Sequence, residues 1–290
     1  MRRSARAILV AALLIAACNL GHRVRMIRDR QPRSGRQALR ATIDLPAGKL
    51  EISRGRPQDL FDLKLSYCRD HFKARSVFRP TGQKPEDIEE ASLFITAESL
   101  SEGDRGGVGI SREPNWLSLN LGTGVPLDLR LALGEAEALL DMTALSVTRI
   151  DVHAGSGPLT IRFMAGNPRN LGRLQFIAGS GPVRLEGLGW GRVVSLEFHG
   201  GSGEAFMDWN GPGPSEAAAL LDAGAGGLNL KFPEELGVSV RGMGKILPSP
   251  PGRFHGDAEA WVSSNWETAE RRLTLILDRG QSPVRVSWGR

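Results

Sequence analysis

The sequence predicts an all-β protein, a single-stranded parallel β-solenoid (β-helix) of about eight rungs. Three observations lead there. A unit of alternating apolar and polar residues recurs: Ile150-Asp151-Val152-His153-Ala154-Gly155-Ser156-Gly157 returns as Leu174 to Gly181, as Leu196 to Gly203 and as Leu221 to Gly227. Its corner glycines Gly155, Gly179, Gly201 and Gly224 stand 24, 22 and 23 residues apart. Glycine itself is in excess, 36 of 290 residues, about 12% against a usual ~7%. Period-2 alternation on both sides of a tight glycine turn reads as strand, corner, strand. A unit this short cannot bury its own apolar face, so Ile150 and Val152, Leu174 and Phe176, and Leu196 and Phe198 must form ladders shared with the next rung.

From the N-terminus, Arg2, Arg3 and Arg6 precede the uncharged stretch Ala7 to Ala17, and small residues lead into Cys18. That is the layout of a secretory leader, too short to span a bilayer. Ile15-Ala16-Ala17-Cys18 resembles the bacterial lipobox, which implies cleavage after residue 17 and a lipid on Cys18. The alternative is an ordinary signal peptide with an incidental cysteine. Residues 18–40 then read as lipid anchor and disordered basic tether. His22 to Arg40 carries seven arginines against one acid, Asp29, with little apolar periodicity. Residues 1–80 hold 18 Lys/Arg and 6 Asp/Glu, whereas the rest of the chain holds 19 and 26. The overall +5 is therefore a local basicity on an acidic body, which excludes a nucleic-acid module.

Residues 41–110 form an N-terminal β part whose clearest copy of the unit is Ile43 to Ile52 around Gly48. Residues 111–290 form the C-terminal solenoid, with further copies around Gly134, Gly242 with Gly244, and Gly280. The glycines are expected to supply the positive φ of a sharp corner. Register sets His153, Ile177, His199 and Asp222 in one column, so His199 and Asp222 should be neighbours. A meander or sandwich of hairpins is the structural alternative, and strand pairing decides between them.

The chemistry-bearing residues are few. Ser156, Ser180 and Ser202 in Gly-Ser-Gly lack the spacing of a nucleophile elbow and read as corners. His153 and His199 lie two rungs apart, about 9.6 Å, too far for one zinc ion. No metal site, cofactor or catalytic residue is expected. Cys68, without a partner if Cys18 carries lipid, reads as a small core residue. The outward acids Asp151, Glu197 and Asp222 lie among neutral residues, with no close carboxyl pair of the kind glycoside hydrolysis requires. The irregular segment 247–274 holds Trp261 and Trp266, either a cap on an open end or a binding surface.

Gly124-Val125-Pro126-Leu127-Asp128-Leu129, the Ala-Gly-Ser-Gly corners, Asn265 to Glu270 before a final strand, and Ala41 to Ile52 with Leu60 to Tyr67 resemble the toast-rack family of bacterial envelope proteins, which includes candidate adhesins and cell-wall-antibiotic response proteins. The likeness covers roughly residues 41–290, loosely over 70–110. It implies a β-helical fold and an extracytoplasmic, envelope location. The functional expectation is a lipid-anchored, non-enzymatic binding, adhesion or envelope-stress module. Its partners are the membrane, through anchor and tether, and an envelope protein or wall polymer. The alternative is an envelope polysaccharide hydrolase or lyase on a β-helix.

Overall fold

The computed structural model describes residues 24–34, 38–69, 71–80, 90–100, 115–242, 246–249, 252–256, 260–278, 282 and 284–289. Within them the chain is all-β. In order run β1 (Val24–Pro32), β2 (Ala38–Leu45), β3 (Lys49–Arg54), β4 (Asp59–Cys68), β5 (Phe72–Arg79), β6 (Glu90–Ser99), β7 (Trp116–Leu121), β8 (Pro126–Leu133) and β9 (Glu137–Asp141). The repeats proper follow as β10 (Ser146–Ala154), β11 (Leu159–Arg162), β12 (Arg173–Ile177), β13 (Val183–Glu186), β14 (Ser195–His199), β15 (Ala205–Asp208), β16 (Glu216–Asp222) and β17 (Leu228–Phe232). The chain ends with β18 (Leu236–Gly242), β19 (Ile246–Ser249), β20 (Phe254–Gly256), β21 (Ala260–Ser263), β22 (Arg271–Leu277) and β23 (Val284–Trp288).

The two strands of one unit do not pair with each other. They enter different sheets, one of eleven strands and one of twelve, and each pairs in parallel with the equivalent strand of the neighbouring unit. Hairpins are thereby excluded for the repeats. The first sheet runs β1-β4-β7-β3-β9-β11-β13-β15-β17-β23-β19, the second β20-β21-β18-β22-β16-β14-β12-β10-β8-β2-β6-β5. Nine two-strand tiers lie in the same order in both sheets. Two are out of sequence order: β2/β3 lies between β6/β7 and β8/β9, and β22/β23 lies between β16/β17 and β18/β19.

An all-parallel ladder does not describe the whole molecule, because both sheets are mixed. At one end β4 runs antiparallel on β7 and β1 antiparallel on β4, with β5 antiparallel on β6; at the other, β21 runs antiparallel on β18 and β20 antiparallel on β21. Antiparallel strands that double back over a terminal tier cover its unpaired backbone groups, which otherwise invite association.

The described part of the basic segment, residues 24–34 and 38–40, is also largely in strands where disorder was expected. Val24–Pro32 is β1, paired with β4 from Val24 opposite Cys68 onward, and Ala38 to Arg40 begin β2. Its weak alternation has a physical cause: an edge strand shows both faces largely to water and is held by its ladder and by ion pairs. Asp59, almost fully buried, accepts from Arg30 Nε and Nη2 at 3.1 and 2.9 Å, which holds that guanidinium above its usual value. Arg33 donates to the Thr123 carbonyl.

The inward positions expected from alternation are the core. Ile150, Val152, Leu174, Phe176, Leu196 and Phe198 are all 0–1% exposed, within one apolar cluster extending from Leu39 to Val286. Phe176 and Phe198 lie one tier apart with ring centroids at 5.5 Å. Each such side chain contributes roughly 1.5–3 kcal/mol by leaving water.

The corners correct a second expectation. Among Gly155, Gly179, Gly201 and Gly224, only Gly224 has positive φ. The other three are glycines because corners stack: a Cβ on Gly179 would stand 2.8 Å from the Ala154 carbonyl oxygen, and one on Gly201 would stand 2.6 Å from that of Ala178. The backbone ladder continues around the bend, with Ser202 N–H donating to Gly179 O at 3.0 Å and Gly181 N–H to Gly155 O at 3.1 Å. A side chain there would wedge the tiers apart.

Candidate binding surface

Parallel, in-register stacking sets the same position of successive tiers about 4.8 Å apart, so outward side chains form columns. On the twelve-stranded sheet one column reads His153, Ile177, His199, Asp222, with His199 opposite Asp222 as its register requires and Ile177 between the two histidines. Columns of like charge would repel, and where Arg149 stands opposite Arg173 each guanidinium is offset by an acid nearby. Arg40 meets Asp128 at 3.1 Å and Glu90 at 2.7 Å; Arg149 meets Asp151 at 2.8 Å; Arg173 meets Glu197 at 3.0 Å. His199 Nε2 lies 3.1 Å from Glu197. The hydrogen bond to Asp151, opposed by partial burial and reinforced by the charges of Asp151 and Asp128, holds the Arg149 guanidinium above its usual value.

Of the acids read from sequence as scattered among neutral residues, Asp151 and Glu197 have guanidinium partners, while Asp222 accepts from the Gly224 N–H at 2.9 Å. The guanidinium partners come from the same strand, two residues away, or from an adjacent tier. The signal that could have found them was the i, i+2 spacing of Arg149 and Asp151 together with the alignment of outward positions across units, which sets Arg130 against Asp151. Chemically, Asp151 and Glu197 are acceptors within an ion-pair lattice and do not converge on a cleft.

Toward β16 and β22 the same face changes character. Leu220 and Ile276 are register partners and are 39% and 48% exposed. Beside them, where these strands begin, lies a groove of about 400 Å³ lined by Val194, Glu216, Ala218, Trp266, Arg272 and Thr274. Its floor is made of small side chains. Its wall is a turn, Ser263 to Glu270, laid over the start of β18 at Gly237, where a Cβ would meet Ala269 Cβ at 2.8 Å.

That turn is pinned from several sides. Ser263, fully buried, accepts from Val238 N–H at 2.8 Å and donates to Asn265 Oδ1 at 2.7 Å, while Asn265 Nδ2 reaches the Glu234 carbonyl at 3.1 Å. Arg272 Nε donates to Trp266 O and Nη2 to Glu267 O, both at 3.1 Å, with the guanidinium 5.7 Å from the Trp266 ring centroid. The turn that carries Trp266 is thus fixed by its own contacts with β18 and β22.

The two tryptophans of the end segment take different positions. Trp261 lies in β21, packed on the core, with its ring centroid 6.5 Å from that of Phe254, which in turn lies 5.7 Å from Trp288. Trp266 lines the groove. Glu216, Arg272 and Thr274 went unrecognised in the sequence, because β22 reaches β16 only by inserting ahead of β18.

Cys68 is buried and free at the end of β4; Cys18 lies outside the described residues. Ser156, Ser180 and Ser202 stand exposed at successive corners. Among the described residues no group of three or more His, Cys, Asp or Glu side chains could hold a metal ion.

A search of curated proteins finds no match. Among solved structures, a candidate cell adhesion protein from Clostridium sporogenes ATCC 15579 is similar at 13% identity and a TM-score of 0.44, covering 92% of this chain and 100% of that one. A candidate adhesin from Bacteroides fragilis NCTC 9343 is similar at 10% identity and a TM-score of 0.35, covering 92% and 98%. The family model for the N-terminal domain of toast_rack, DUF2154, matches residues 23–186. Those bounds begin one residue before β1 and end on the last residue of β13, so the match takes in the antiparallel end, the inserted β2/β3 tier and the first repeats; the chain belongs to the toast-rack family.

Proposed function

We propose that the protein is a lipid-anchored, non-enzymatic module of the bacterial cell envelope. Its body is read as a β-solenoid, and the outward face of the twelve-stranded sheet as the surface that binds an envelope protein or wall polymer. The observation that carries this reading is a division of labour among positions. Inward residues and corner glycines serve packing, while the outward columns hold an ion-pair lattice that grades into the apolar residues and groove around Leu220, Ile276 and Trp266. Membership of the toast-rack family supports an adhesion or envelope-stress role.

Cys18 is the proposed lipid attachment point, on the strength of the leader and Ile15-Ala16-Ala17-Cys18. The order in β1 changes what the basic segment does. Only residues 19–23 separate Cys18 from Val24, a reach of about 17 Å at full extension, so the body rides close to the bilayer instead of standing off on a long spacer. Arg25 and Arg28, both exposed on β1, would then meet anionic headgroups, adding roughly 1 kcal/mol per cation near the surface.

The test is fractionation of cells producing the full chain or Cys18→Ser, combined with capture of envelope material by the full chain in detergent. The expected result is membrane retention lost in Cys18→Ser and retention of a defined envelope component by the full chain. Processed, membrane-bound Cys18→Ser would remove the anchor. Cleavage of captured polysaccharide would replace the binding module with a hydrolase or lyase.

A further inference from the structure

We propose that the groove at Trp266 holds a neutral pyranose unit of an envelope glycan, which deepens the binding reading above and rests on it. Its volume, about 400 Å³, lies within the range of small-ligand sites. An indole wall offers a flat π surface to the C–H face of a sugar ring, and Ala218 on the floor lets that ring approach closely. Thr274 supplies a hydroxyl that both donates and accepts, and Glu216, exposed at the rim, an acceptor for sugar hydroxyls.

The charge arrangement selects among ligands. Arg272 is the cation in the lining, and two of its guanidinium nitrogens already donate to the Trp266 and Glu267 carbonyls. The Glu216 carboxylate faces the same space, so a phosphate or uronate would meet a negative charge with the local guanidinium already engaged. A neutral polyhydroxy ring meets no such opposition. The strip continues along the strands through Leu220 and Ile276, which gives a neighbouring sugar an apolar surface to lie on.

Trp266 is also positioned in advance. Ser263, Asn265 and Arg272 fix the turn that carries it, so ligand binding does not have to order the aromatic wall.

The experiment titrates the full chain in detergent with chitotriose as the neutral probe, and with trigalacturonate and inorganic phosphate as anionic ones. Saturation-transfer NMR reads which sugar protons touch protein. Expected are saturable chitotriose binding with transfer to ring C–H protons, about tenfold or greater weakening in Trp266→Ala, partial recovery in Trp266→Phe, and no change in Trp261→Phe. Glu216→Gln should weaken chitotriose binding and relieve the discrimination against trigalacturonate. Melting curves establish that each variant is folded; should Trp266→Ala fail to fold, Trp266→Phe and Glu216→Gln decide. No saturable chitotriose binding, unchanged affinity in the Trp266 variants, or preference for an anionic probe would overturn the assignment. Envelope capture that persists without sugar binding would remove the groove's role and leave the envelope-module reading standing.

Discussion

Substitution of Gly201 by alanine is the sharpest probe of how this stack is built. The new methyl would stand 2.6 Å from the Ala178 carbonyl oxygen and nearer still to that of Gly179, both backbone atoms of the preceding corner. Ordinary C···O contacts lie at about 3.3–3.6 Å, so the corner must open by more than an ångström to relieve the nearer of the two. Opening breaks the bond from Ser202 N–H to Gly179 O at 3.0 Å and the longer one from Gly203 N–H to the same oxygen at 3.4 Å. Two backbone bonds at about 1 kcal/mol each, with about 1–3 kcal/mol of overpacking strain, give a loss of about 3–5 kcal/mol. Gly166→Ala is the internal control, because a Cβ there meets nothing within 4 Å and the φ is not in the left-handed region; its effect should lie within about 1 kcal/mol of zero. Equilibrium urea unfolding followed by circular dichroism compares the midpoints. A long stack can unfold in segments, so tryptophan fluorescence should be recorded in parallel. Stacked corners do not exclude side chains if Gly201→Ala is as stable as the parent, or if Gly166→Ala is as damaging as Gly201→Ala.

Asn167 is nearly fully buried and accepts from Val147 N–H at 3.1 Å while donating to Val147 O at 2.8 Å and Gly191 O at 3.2 Å. Asn167→Ala should cost about 2–4 kcal/mol, measured by the urea midpoint, by leaving those backbone groups unsatisfied. Truncation of fully buried Phe198, stacked on Phe176, should cost about 3–5 kcal/mol in the same assay. At Asp141, burial pushes the carboxyl pKa up but is outweighed by hydrogen bonds from Thr143 and Arg162, so the folded value lies below the ordinary one. A lowered folded pKa gives stability that is present above the unfolded value and lost as pH falls through the folded value. Asp141→Asn should therefore flatten the acid limb of the stability profile and cost least below the folded value, an effect of at most about 0.5 kcal/mol because its ion pair with Arg162 is partly exposed and screened by solvent.

How much was legible follows from what a repeat encodes. From β10 to β15 the short glycine corner fixes the phase of alternation on both sides, so core, corner and column register could all be read from the sequence. The tier β6/β7 could not, because residues 100–115 between its strands are too many for the short glycine corner of the repeats. Alternation tells which face a residue occupies and is silent on which tier is its neighbour. The insertion of β22/β23 between β16/β17 and β18/β19 was therefore invisible, and with it the meeting of Glu216, Arg272 and Trp266. Order in β1 was missed because an edge strand is specified by its partner β4 and by Arg30 with Asp59, and its own apolar content is low. The reason for the corner glycines was misassigned because a single corner considered alone suggests backbone conformation, whereas stacked corners impose a steric limit that only the neighbouring tier reveals.

Recognition of an envelope component without turnover is the property to be tested. The most direct measurement incubates the purified full chain in detergent with fractionated envelope polysaccharide and peptidoglycan, recording bound material and released fragments in the same sample by mass spectrometry. A binding module gives saturable binding to one fraction, stoichiometric with protein and with no fragment accumulating over time. Fragments that accumulate in excess of protein, and that disappear on substitution of a single carboxylate such as Glu216→Gln, would contradict it and make the protein an enzyme.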